Sequence, residues 1–178
     1  MKYLRRFLWY VAKHLLGITV LFGALIIAFY MAMNTANITI LLEDGMALRA
    51  QVVIMDREPA ELTKYFQSEF VDLDTAINLG VSGESPYANY TVTGIDHRIQ
   101  MEWMWCWPWE NTARADFVET VPKIDGRIKS SLRAEAEASD PDSVYPPDWT
   151  SARYRATLVR EGGRWKIASI KLMETLSP

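Results

Sequence analysis

The stretch IDHRIQMEWMWCWPWENTARADFVETV, residues 95–121, decides how the chain is read. Ile95, His97, Ile99, Met101, Trp103, Trp105 and Trp107 stand two apart, and Asp96, Arg98, Gln100 and Glu102 alternate with them. Successive side chains of a strand point to opposite faces, so the pattern is that of a long strand with one apolar face. Pro108-Trp109-Glu110-Asn111 reads as a turn, and Ala113, Ala115, Phe117 and Val121 form the inward set of a second strand folded back on the first. Such a hairpin needs an apolar layer against its inner face.

Toward the carboxyl end, Asp125-Gly126 predicts another tight turn. Residues 129–149 predict a short Ala- and Glu-rich helical piece and a loop holding Pro141, Pro146 and Pro147. The chain closes with a second hairpin, residues 152–160 and 164–174 around Glu161-Gly162-Gly163. Toward the amino end the period becomes helical. Glu58-Pro59 starts a helix with Glu61 in its first turn and Leu62, Tyr65, Phe66 and Phe70 on one face. Asp74 caps a short helix over 74–79 that Gly80 ends, and residues 81–86 are loop. A further helix covers 38–55, with Ile38, Leu41, Leu42, Met46, Val52 and Val53 near one face and Gly45 as its weak point. The folded part is therefore of the α+β class.

Before it stands LLGITVLFGALIIAFYMAM, residues 15–33, without a charge. As a helix it is about 28 Å long, close to the roughly 30 Å of a hydrocarbon core. The expected organisation is a cytoplasmic tail over 1–14, a transmembrane helix over 15–33 and one extracytoplasmic domain over 34–178. Lys2, Arg5, Arg6 and Lys13 precede the span and no acidic residue occurs before Glu43, which puts the amino terminus inside. A cleaved export signal shares these features, but its apolar run is usually about 7–15 residues and ends at a small-residue site, for which Thr35 and Ala36 are the nearest and weak candidates here. Ala24, Ala28 and Ala32 recur at the four-residue spacing that lets membrane helices approach, although alanine is common in such helices on any account.

Four of the 19 Lys and Arg precede the span, leaving 15 against 22 acidic residues beyond it. An acidic domain of this kind is not built for nucleic acid. The single cysteine, Cys106, excludes an internal disulfide framework. The two histidines, His14 and His97, form no metal-ligand cluster, and no cofactor is expected.

The closing segment YRATLVREGGRWKIASIKL, residues 154–172, resembles the last hairpin of the NTF2-like superfamily: a strand, a Gly-containing turn, and a strand beginning Arg-Trp-Lys-Ile. Helices first and a curved antiparallel sheet afterwards is the element order of that fold. The resemblance implies an NTF2-like cone, two or three helices packed into a concave sheet, with an interior that some members use as a pocket. A membrane-anchored form with a short inside tail is similar in architecture to the VirB8-like assembly components of bacterial secretion and conjugation machines. The motif marks a fold more than an activity.

Trp103, Trp105 and Trp107, with Phe117 on the next strand, then predict either an aromatic-lined pocket or partner patch, or rings that fill the cone against Leu62, Phe66 and Phe70. Trp109, beyond Pro108, is expected to be exposed at the turn, where it can enter a membrane interface or meet a protein. His97 shares the inward parity and can serve as a general base only with an orienting carboxylate, for which Glu119 is the candidate. Arg153, Arg155, Arg160 and Glu161 make a charged outer row that Arg114 and Asp116 can partly neutralise. The expected function is a non-enzymatic interaction or assembly module, its partners the bilayer and a protein or a second copy of the chain. The alternatives are a small hydrophobic ligand held by the tryptophans and, third, an enzyme acting through His97.

Overall fold

The computed structural model describes residues 2–139 and 141–176. It is an α+β molecule in which a long apolar helix leads into a four-stranded antiparallel sheet. Helix α1 is unbroken from Lys2–Met55, 54 residues or about 80 Å. No proline occurs before Pro59, so no helical hydrogen bond is removed along it. The two helices expected at 15–33 and 38–55 are thus one element. Its halves differ in surroundings: the most apolar 18-residue window has nothing buried against the rest of the chain, whereas Asn34, Ile38, Leu42 and Met46 are buried one turn after another. Gly45 is not a weak point: a Cβ there would lie 3.1 Å from Ile167 Cδ1 and 3.1 Å from Tyr65 Cβ, so its bareness admits the domain to the helix. Asp56, at φ 54°, takes the left-handed conformation just beyond the end of α1.

The segment expected as one helix from Pro59 is split. A 3₁₀ helix covers Pro59–Lys64 with Pro at its start, and α2 covers Ser68–Leu73. Between them the backbone joins the sheet: Ile167 N–H donates to Tyr65 O at 2.8 Å and Gln67 N–H to Ile167 O at 3.0 Å. Leu62 and Phe66 remain fully buried. Helix α3, Thr75–Ser82, starts as predicted, its Asp74 cap accepting from Ala76 N at 2.8 Å and Ile77 N at 3.1 Å. It runs past Gly80, which is buried where a Cβ would stand 3.1 Å from Val52 O, and Gly83 at φ 74° ends it instead.

The strands β1 Tyr90–Trp105, β2 Thr112–Ile128, β3 Ala152–Glu161 and β4 Arg164–Thr175 pair in sequence order. Asp125-Gly126 is no turn; β2 continues through it, and a Cβ on Gly126 would lie 2.9 Å from Thr91 O. The register slips where β2 carries Pro122, which has no N–H to give the ladder. Gly162 and Gly163, at φ 55° and 82°, make the two-residue turn between β3 and β4. Helix α4, Arg133–Ser139, and a 3₁₀ turn, Pro141–Val144, occupy the β2–β3 connection. The main core joins Ile38, Leu42 and Met46 of α1 to Phe66, Phe117, Leu158 and Ile167. A smaller cluster of Ala50, Ile54 and Tyr87, with Ile95, Ile124 and Trp149 against it, closes the other end. β1 therefore runs from the Ile54 end of α1 back toward Asn34.

Candidate functional site: an interior polar cluster and a tryptophan tip

Two groups of side chains lie where the sequence directs attention, on opposite sides of the sheet. Inside, β1 and β2 bring His97 and Glu119 together, with His97 Nε2 2.9 Å from Glu119 Oε1. Their side chains are 5% and 0% exposed, and Glu119 Oε2 is buried with no hydrogen-bond partner among the described residues. With the carboxyl ionised, the imidazole N–H donates to it. Arg49 of α1 makes a two-pronged ion pair with Asp74, Nε to Oδ2 at 2.8 Å and Nη2 to Oδ1 at 3.1 Å. Burial opposes the Arg49 charge, but the hydrogen bond and the carboxylates of Asp74 and Glu119 outweigh it, and its pKa is raised. Tyr154 of β3 completes the cluster; burial first, then the Glu119 charge, push its phenol up. Sequence reading missed Arg49 and Tyr154, although an arginine among Leu42, Met46 and Val53 on the buried face of α1 was a usable signal.

The His97–Glu119 pair is enclosed. Phe66, Phe117, Ile77, Leu158, Ile167 and Met46 fill the space between helices and sheet. The grooves around the folded part open elsewhere: one between α1 and the Pro59–Lys64 turn, one beside Asp56 and Tyr87, one along Thr91 and Ile124–Ile128. His97 and Glu119 line none of these three, so the pair can hold and orient a proton between themselves but meets no substrate space there.

The tryptophans are not where alternation puts them. Met101 faces Phe117, but Trp103 faces Asp116, two steps on β1 for one on β2. This bulge hands the inward positions to Met104 and the buried Cys106, and turns Trp103 and Trp105 onto the outer face, 51% and 45% exposed. Trp103 and Trp105 therefore share no pocket with Phe117, which is wholly buried against Tyr154. Trp109 is exposed at the turn, as expected, at 66%. The rings associate with each other: Trp105 meets Trp107 edge-on at 5.2 Å, and Trp107 stacks on Trp109 at 5.1 Å. Cys106 touches the core beneath them, and burial raises its thiol pKa.

The tip is fastened to α1. Arg160 N–H donates to Asn111 O at 2.8 Å, and Arg160 Nη2 donates to Asn34 Oδ1 at 2.9 Å. The guanidinium also lies 4.5 Å over the Trp165 ring. On the outer face, Arg155 pairs in two-pronged fashion with Asp116 at 2.7 Å, and Arg153 with Glu102 at 2.8 Å and with Glu174. Asp116's pKa is lowered, first by its hydrogen bond from Arg155. Ala24, Ala28 and Ala32 are exposed along α1. No protein-family model matches this chain, and no curated protein matches it.

Proposed function

We propose that the protein is a single-pass membrane protein, amino end inside, whose outer NTF2-like domain is a non-enzymatic assembly module binding a protein partner or a second copy of itself. The span is supported by a helix that is apolar all round over residues 15–33 and covered by none of the described residues, a surface suited to lipid and not to water. The fold assignment is supported by helices gathered on one face of a four-stranded antiparallel sheet that ends in a Gly-Gly hairpin. The observation that carries the assembly reading is the filled interior set against an unfinished exterior. Beyond Ile167 the outer edge of β4 is not paired with another strand among the described residues, and Leu172 and Met173 on it are 53% and 44% exposed. An edge of this kind offers unpaired backbone groups and apolar side chains to another chain. The outer-face arginines are already neutralised by Asp116, Glu102 and Glu174, which lowers the cost of covering them.

Native mass spectrometry of the full-length protein, released from its own membrane in mild detergent, tests this. A defined oligomer or a stoichiometric protein complex, lost in Leu172→Glu, is the expected result. A monomer carrying a stoichiometric small molecule would overturn the assembly reading.

A further inference from the structure

We propose that the tryptophan tip, Trp103 to Trp109, is a second membrane contact that seats in the headgroup–acyl boundary on the side where α1 leaves the bilayer. The inference rests on the membrane span proposed above. The apolar run of α1 ends at Met33, and the next residue, Asn34, is the one Arg160 grips. Because the same Arg160 holds Asn111 O, the β1–β2 turn is within reach of one arginine side chain of the point where the span ends. Cys106, at the base of the tip, belongs to the same buried cluster as Ile38 and Leu42. Asn34 and Ile38 are one helical turn apart, about 6 Å of rise, which is within the interfacial layer that brings a bilayer from roughly 30 Å to roughly 40–45 Å. Helix α1 is continuous across this boundary, so no flexible linker separates its apolar run from the domain.

The chemistry of the tip suits that layer and not water. Trp103, Trp105 and Trp109 expose half or more of their surface or close to it, and the stacked set lies at one end of a domain that is otherwise acidic. Indole is amphipathic, with an apolar body and one N–H donor, and is enriched at headgroup level for that reason. The exposed cations at this end are placed for phosphate: Arg114 is opposite Trp105 in the ladder, and Arg164 begins β4 beside the neighbouring turn. Of the acids near the tip, Glu161 is engaged by Gln67 and Lys166, and Glu110, within the β1–β2 turn itself, has Oε2 3.5 Å from Trp107 N.

The test uses full-length protein carrying Trp9→Phe, reconstituted into phosphatidylcholine–phosphatidylglycerol vesicles with bromine on the upper acyl chain. Of the six remaining tryptophans four are in the tip, while Trp165 is buried and Trp149 belongs to the opposite end. Bromolipid should remove the larger part of the emission, and replacing the four tip residues by Phe should remove the quenchable fraction while the rest persists. Emission quenched by aqueous iodide and not by bromolipid would overturn the proposal. So would emission shielded from iodide in native membranes but open to it in pure lipid vesicles, which would assign the tip to a protein partner. Failure of the protein to float with the vesicles, tip intact, would instead refute the membrane span itself.

Discussion

Glu119 has no atom in contact with solvent, and His97 Nε2, 2.9 Å from Oε1, is its hydrogen-bond partner among the described residues. A buried pair of this sort responds unequally to loss of one or both members. Glu119→Ala should lower the stability of the detergent-solubilised protein by about 2–4 kcal/mol, measured by guanidinium unfolding, because it strands the imidazole and opens a void. His97→Leu/Glu119→Leu together should cost clearly less than the sum of the two single changes. Additive costs would show that the pair does not act as a unit. Retention of assembly by the double variant would further mark the pair as structural. A second residue-scale test is alkaline. Burial, then the charge of Asp148, push Tyr87 up to about 12 from 10.0. The folded chain therefore holds this proton more tightly than the unfolded one, so the contribution is complete below pH 10 and is lost as pH rises through 12. In ultraviolet titration the wild type should show late phenolate absorbance that Tyr87→Phe diminishes, with Tyr154 also lagging behind the exposed tyrosines. At this scale the sequence was informative where a residue's parity was unambiguous: His97 and Glu119 were each expected inward and do meet. It put Trp103 and Trp105 on the wrong face for a physical reason. In Trp103-Met104-Trp105-Cys106-Trp107 both parities are apolar, so burial could be satisfied in either frame, and only the bulge after Met101 chooses Met104 and Cys106.

Elements were recognisable from their period, and their ends and interruptions less so, because those depend on what another segment brings near. Asp125-Gly126 has turn chemistry, yet the glycine serves to let β2 pass close to Thr91 and Val92 of β1 and to Pro146. Gly80 likewise has the composition of a helix end, but it is a contact point between α3 and the backbone of α1, and Gly83 does the ending. Neither role is written locally. The expectation that follows is specific. In Gly126→Ala the new Cβ meets fixed backbone at 2.9 and 3.0 Å and should destabilise by about 1–3 kcal/mol. Gly94→Ala, also in a strand but with nothing within 4 Å, should be neutral or slightly stabilising. Denaturation midpoints of the two variants measured side by side decide the matter, and equal midpoints would mean that close approach at Gly126 is not what requires a glycine.

The whole molecule is organised by one decision, that the helix which is all apolar at residues 15–33 does not stop before its opposite face becomes the spine of the domain. Ile38, Leu42, Met46 and Val53 read as a core stripe, while Leu15 to Met33 reads as apolar all round, and the sequence shows both without showing that they are continuous. Continuity has a mechanical consequence. A straight helix transmits rotation at 100° per residue and height at about 1.5 Å per residue, so in the membrane span proposed above α1 would set which way the sheet faces and how high the tryptophan tip stands. Inserting Gly-Ser-Gly-Ser between Met33 and Asn34 leaves every contact of the folded part intact, including Arg160 to Asn34 and Arg160 to Asn111, but replaces the rigid joint by a flexible one. The variant should unfold at the same denaturant midpoint as the wild type, and in reconstituted vesicles its tip tryptophans should lose most of their quenching by brominated lipid. If quenching persists after the insertion, the indoles partition into the interface by their own affinity and the helix is only a tether; if it disappears, height and rotation supplied by α1 are what hold the tip, and through it the outer face of the sheet, in a fixed relation to the membrane.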